Sequence, residues 1–271
     1  FSVLLLLLLL LLFHWIVKNT GYLVRLMIPR FRPSSRWISQ LPEFARRAFQ
    51  VDQMELDSAL SQMYSLCLKP SLVSKMSKAR KMTKNHYHRD DPAFIVLQVL
   101  ALVITVVAYG LTLKGGLLQI FFNVLYEVGV TYLITGLIMA TAAWVFANRC
   151  LMSNGGQMHE LRRGVDWHYS FDIHCNGFFP YFIWTRVIQF ILLPLLLRPS
   201  FLACLVSNCL YMIGCVLYAY IVFLGYLELP MLVQQQQLVY PVPAILLFTF
   251  FITIFGRWNL TQWTLSQMWQ I

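Results

Sequence analysis

From Ala93 to Leu113 the chain carries no charged residue, and the stretch is bounded by Asp90-Asp91-Pro92 before and Lys114-Gly115-Gly116 after. A bilayer core takes about 20 helical residues to cross, and inside it every backbone polar group must find its partner within the segment. Such a stretch is therefore read as a membrane-spanning helix. Four more candidates follow it. Leu117 to Ala147 is apolar except for Glu127 and exceeds one crossing, which predicts an interfacial lead-in before a span near Val124 to Ala147. Gly177 to Leu197 carries Arg186 and Gln189, Phe201 to Leu227 carries Ser207 and Asn208, and Leu238 to Gly256 follows a short poly-Gln turn. The fold class implied is an all-α integral membrane protein with about five transmembrane helices.

Arg186 tests that reading, because an arginine at a span's centre costs about 2.5 to 3.5 kcal/mol. The Phe, Ile, Leu and Val residues around it each return about 0.3 to 0.6 kcal/mol, enough together to outweigh it. Arg186 is then expected to face protein, either packed with Glu127 between spans two and three or lining a conducting path. Packing is the commoner arrangement. Small residues at Gly136 and Ala140 in span two, and at Ala203 and Ser207 in span four, offer faces for close helix approach.

Composition agrees: 59% of residues are apolar and 12% charged, against about a quarter charged in soluble domains. The net charge of +10 is unevenly spread, with 14 of the 21 Lys and Arg residues between Lys18 and Arg89. Cytosolic loops retain Lys and Arg, so the N-terminal segment is placed in the cytosol. Arg149, Arg162 and Arg163 then fall on the same side, and Lys114, Arg198 and Arg257 on the other. The sequon Asn259-Leu260-Thr261 would face the lumen, too close to the last span for easy glycosylation. Six cysteines form no C-x-x-C pair, which argues against a disulfide framework or zinc knuckle. The domain reading is an apolar leader or extra membrane segment at 1–17, a basic cytosolic segment at 18–91, a five-span domain at 92–256 and a short aromatic lumenal tail at 257–271. A cleaved signal at the leader would send the basic segment into the lumen, so a membrane-associated extension is preferred.

Within the basic segment, Leu56, Leu60, Met63 and Cys67 recur at helical intervals between Asp52 and Lys69. Pro70 is expected to interrupt this amphipathic helix, with Ser71 capping a second in which Leu72 and Met76 share a face. Lys75, Lys78, Arg80, Lys81, Lys84 and Arg89 supply a cationic surface for an anionic lipid headgroup layer or a partner. RNA is a poor fit, since no RNA-recognition motif accompanies the basic residues around His86, Tyr87 and His88.

Two polar clusters carry ligand and acid–base residue types: His86, His88, Asp90 and Asp91, and later Asp166, His168, Asp172 and His174. Both fall on the same side of the expected topology. A membrane metalloenzyme using His86, His88, Asp172 and His174 is thus an alternative, as is an ion channel or transporter through Glu127 and Arg186. The spacing matches no helical H-E-x-x-H arrangement, and hydrogen bonding at the membrane edge is the simpler use of these groups. No catalytic residue, cofactor site or metal site is assigned on sequence grounds.

Taken in order, RRAFQVDQMELDSALSQMYSLCLKP, TKNHYHRDDPAF, LIMATAAWVFANR, WHYSFDIHCNGFFP, YIVFLGYLELP and WNLTQW resemble the Unc-fifty (uncoordinated-fifty) family of Golgi multispanning proteins. The resemblance covers about residues 46 to 265 and leaves out the poly-Leu start. It implies a five-span Golgi or early-secretory protein with a cytosolic N-terminus and no established enzymatic activity. It further implies a role in vesicle-mediated protein transport linked to large guanine-nucleotide exchange factors for Arf GTPases, and in some animals to delivery of nicotinic receptors. The cargo and any receptor specificity do not carry over. The function expected is a Golgi membrane scaffold that recruits or retains that exchange machinery and supports transport of membrane cargo.

Overall fold

The computed structural model describes residues 43–48, 54–152 and 164–269. The apolar leader, most of the residues before Leu56, and Arg162 and Arg163 lie outside them. A short helix α1, Glu43–Ala48, precedes α2, Leu56–Leu68, and α3, Pro70–Lys84. Then come α4, Ala93–Thr112, and the long α5, Leu117–Cys150. Helix α6 begins as Trp167–Phe182 and continues through Ile183–Ile188 into Gln189–Ile191. The short α7, Leu193–Leu196, the long α8, Phe201–Leu227, α9, Pro241–Ile254, and α10, Leu260–Trp269, complete the chain. Among the described residues the only extended pairing is the isolated bridge Met152–Leu232. The protein is an all-α membrane protein.

Four helices are long and apolar enough to cross a membrane: Ala93–Thr112, Leu117–Cys150, Phe201–Leu227 and Gln235–Ile254. The expected lead-in at Leu117 is not a separate piece, because the helix runs unbroken through a π-helical segment, Tyr126–Ile134, that absorbs extra residues without a break. The third expected span, Gly177 to Leu197, is not among these four: the helix there begins earlier, at Trp167. Its first half is polar yet enclosed, with Tyr169, Asp172, His174 and Cys175 all buried. Helix α6 is the central element, packed most extensively against α8 and α5. Polar side chains are tolerated there because neighbours satisfy them: Ser170 receives the Tyr226 hydroxyl at 2.8 Å, and His174 Nδ1 lies 2.9 Å from the Tyr218 hydroxyl.

The N-terminal pair differs from the expectation in three ways. The buried stripe of α2 is Leu56, Ala59, Met63 and Leu66, with Cys67 exposed. That stripe is rotated by part of a turn because it inserts between α4 and α6, meeting Phe94, Leu97, Phe178 and Phe179. Pro70 starts α3, occupying the first turn where its missing N–H leaves no bond unmade, so Ser71 is not the cap. The inward face of α3 is Val73, Ser74 and Ser77, whose small side chains let the helix approach α6 and α8 closely, while Leu72 and Met76 are left outside. Asn85, in the left-handed region at φ 62°, ends α3.

The residues after α9 also fold inward. Helix α10 packs Leu265 and Trp269 against Val106, Tyr109 and Ile120. A Cβ added at Gly115 would lie 2.7 Å from the Trp269 ring, so the turn between α4 and α5 has room for the indole only because glycine stands there. Asn259 is buried and its Nδ2 donates to the Leu196 carbonyl at 2.9 Å.

Candidate functional site

The polar residues of the segment after α3 converge on α6 at one end of the bundle. Arg89 Nη1 donates to Asp172 Oδ1 at 2.6 Å, and the Arg89 backbone N–H donates to Asp172 Oδ2 at 3.1 Å. Its Nη2 donates to Asn176 Oδ1 at 2.6 Å, and Nε and Nη2 both reach Gln62 Oε1, at 3.0 and 2.9 Å. The guanidinium lies over the Phe94 ring, 4.2 Å from its centroid. Arg80 adds a second cation, with Nη2 3.8 Å from Asp172 Oδ2. A planar fork of donors suits such a three-way junction, tying α2, the loop and α6 together in one buried knot.

Asp91 completes the joint by capping two helices: its Oδ2 accepts from the Glu55 N–H at 2.6 Å and its Oδ1 from the Ala93 N–H at 3.0 Å. Beside the knot lies a cavity of about 470 Å³, lined by Phe44, Lys84, His88, Arg89, Asp90 and His168 among others.

At the cavity's edge the imidazoles of His86 and His88 stack with centroids 4.2 Å apart. His86 Nδ1 lies 3.2 Å from the His88 carbonyl, and its Nε2 lies 3.3 Å from Asp90 Oδ1. Asp90 Oδ2 accepts from Lys84 Nζ at 2.7 Å. His88 Nδ1 is enclosed without a hydrogen-bond partner, 3.6 Å from Asp166 Oδ2. Burial, reinforced by neighbouring His86, holds His88 below its ordinary value. Burial raises the Asp90 carboxyl, but the hydrogen bond from Lys84 and the nearby His86 outweigh it, leaving the group below its ordinary value.

The residues singled out from sequence fall into distinct groups. Lys75 and Lys78 are exposed and make no ion pair among the described residues. Lys81 donates to the Asn85 carbonyl at 2.7 Å, and Lys84 is tied to Asp90. Arg80 and Arg89 point inward to Asp172, so their guanidinium groups are engaged inside the protein. The four residues of the metalloenzyme reading are not brought together: Asp172 is held by Arg89 and His174 by Tyr218, whereas His86 and His88 gather with Asp90. In the membrane domain, Glu127 Oε1 lies 2.6 Å from Arg186 Nη2, joining the π segments of α5 and α6. Sequence reading missed Gln62 and Asn176 as partners of Arg89. Neither residue type nor spacing signals pairings across 27 and 87 positions.

The UNC-50 family model matches residues 44–269. Among curated proteins, "Protein unc-50 homolog" of Dictyostelium discoideum is 38% identical over 229 residues, covering 84% of this chain and 87% of its own. "Protein unc-50" of Caenorhabditis elegans is 38% identical over 229 residues, covering 84% of this chain and 74% of its own. "Protein unc-50 homolog" of Homo sapiens is 33% identical over 222 residues, covering 81% of this chain and 83% of its own. No solved structure gives a significant match. By the extent of these matches, the chain belongs to the UNC-50 family.

Proposed function

We propose that this protein is a Golgi membrane scaffold in vesicle trafficking, whose cytosolic end docks a large Arf guanine-nucleotide exchange factor and so supports transport of membrane cargo. The observation that carries this reading is the two-faced character of α3. Its inner face, Val73, Ser74 and Ser77, is seated on the membrane domain. Its outer face leaves Leu72, Met76 and Met82 exposed beside Lys75 and Lys78. A cationic surface with apolar side chains, fixed rigidly to a bundle of apolar helices, suits an anionic leaflet and an acidic partner surface together. The protein acts by positioning other molecules.

Because Arg80 and Arg89 hold the fold, the dock is narrowed to Lys75 and Lys78, with Lys84 at its edge. The Lys75→Glu, Lys78→Glu double variant is expected to keep Golgi localisation while proximity labelling of the exchange factor from the N-terminal segment falls severalfold. Unchanged labelling would move the dock off α3. Loss of localisation along with labelling would assign these lysines to membrane retention instead.

A further inference from the structure

Three helices of the membrane domain share one concave face. Ser170, Ile173, His174, Phe178 and Tyr181 recur at helical intervals along α6, and Cys215, Tyr218, Val222 and Tyr226 along α8. Helix α5 supplies the third wall between Tyr126 and Phe146, with Ala140, Ala142 and Ala143 on it. The cavity they enclose measures about 1030 Å³, at the top of the range of about 300 to 1,000 Å³ usual for small-molecule sites. Pro241 and Ile245 of α9 form its fourth edge, but α9 packs against α8 and makes no comparable contact with α5. The α5 rim is open, with Tyr126, Val130 and Met139 exposed. An occupant would therefore enter sideways from the bilayer, between α5 and α9.

The lining says what that occupant is. It contains no Lys, Arg, Asp or Glu, so nothing there holds a phosphate or ammonium headgroup, and burying one without a partner is costly. Its polar groups sit near the start of α6, toward the α2–α3 end of the bundle. His174 Nδ1 lies 2.9 Å from the Tyr218 hydroxyl, and the enclosed His174 Nε2 makes no hydrogen bond. Tyr218 is half-buried, and its hydroxyl keeps capacity for a second bond after meeting His174. Whether that capacity is to donate or to accept depends on the imidazole tautomer. A ligand hydroxyl answers either case, whereas an ester carbonyl can only accept. Beyond this pair the walls are flat, made of alanine faces on α5 and the rings of Phe178 and Tyr181 on α6. A rigid fused-ring body fits such walls and loses less conformational freedom there than two flexible acyl chains.

We propose that this cavity binds one sterol, its hydroxyl at the His174–Tyr218 pair and its rings between the α5 alanines and Phe178. The site lies within the bundle, away from the Lys75–Lys78 surface, and the scaffold reading does not depend on it.

The test uses the full chain in phospholipid nanodiscs, a diazirine-bearing sterol and mass spectrometry of the labelled peptides. The expected result is saturable labelling of the α5, α6 and α8 residues that line the cavity, displaced by excess unlabelled sterol. Tyr218→Phe is expected to raise the half-saturating sterol concentration at least fivefold, and Ala143→Trp, which fills the cavity, to abolish the labelling. Labelling that does not saturate, or that maps to the outer face of α9, overturns the site and leaves ordinary bilayer contact. Labelling that falls equally when only the phospholipid content is raised means an acyl chain occupies the groove, and absence of labelling means protein covers it; each also overturns the proposal. If the variants fail to fold, saturation and displacement in the wild type decide.

Discussion

Arg89 touches three segments that are far apart in the chain, and its surroundings explain why no other residue serves there. The pair with Asp172 is nearly enclosed, with side-chain exposures of 7% and 8%. Removing one partner of a buried pair leaves the other charge without compensation and costs about 3 to 5 kcal/mol. Arg89→Ala is accordingly expected to lower unfolding stability in detergent by about that amount. Asp172→Ala should cost as much, and the double variant less than the sum, since the two share one interaction. Arg89→Lys should rescue little, because a single ammonium cannot reach Gln62, Asp172 and Asn176 together; wild-type stability for that variant would refute the fork argument. The same logic governs Glu127 and Arg186 deeper in the bundle. Glu127→Ala is expected to reduce the thermal midpoint sharply, and Glu127→Gln with Arg186→Gln to recover part of the loss. Sequence reading singled out both charges because ionisable residues are expensive in an apolar stretch, whereas Gln62 and Asn176 carry no such cost signal.

At the scale of elements, the packing of α6 against its neighbours turns on small residues. A Cβ added at Gly136 of α5 would meet His174 Nε2 at 2.6 Å, and one added at Gly225 of α8 would meet Ile173 Cγ1 at 2.8 Å. A Cβ at Gly129, inside the π segment of the same helix, would meet nothing within 4 Å. Gly136→Leu is thus expected to destabilise the bundle by about 1 to 3 kcal/mol of overpacking, while Gly129→Leu leaves the thermal midpoint near wild type. Equal effects of the two would show that helix propensity, not contact, decides. Gly136 and Ala140 were recognisable as a close-approach face from their size alone. The faces of α2 and α3 were not, because two candidate apolar stripes lie side by side on each. Burial of Ser74 and Ser77 in preference to Leu72 follows from the narrow gap against α6 and α8, which hydrophobicity does not encode.

Across the whole molecule, the bundle has an end gathered by α10 and an opposite end carrying α2, α3 and the Arg89 knot. Helix α9 is almost uncovered by protein, its Leu247, Phe248, Phe250 and Phe251 left outward as a lipid-facing surface. At the α10 end, Asn259 spends its amide on the Leu196 carbonyl, and Thr261 is fully buried with its backbone N–H donating to Ser207 Oγ at 2.9 Å. The Asn259 sequon is therefore expected to stay unmodified in cells: peptide-N-glycosidase should leave gel mobility unchanged, and a shift would mean that α10 docks only after the chain is accessible to the transferase.

The sequence by itself determined the class of the protein and, closely, the extents of α4 and α8. Transfer of a segment into a bilayer is a sum over its own residues, so it can be read along one dimension. The tertiary structure decided which α2 and α3 faces are inward, that the segment after α9 folds back as α10, that Arg80 and Arg89 serve the fold, and that His86 and His88 meet Asp90. Those outcomes depend on charges, acceptors and voids within a few ångströms, and the neighbours that supply them come from distant parts of the chain.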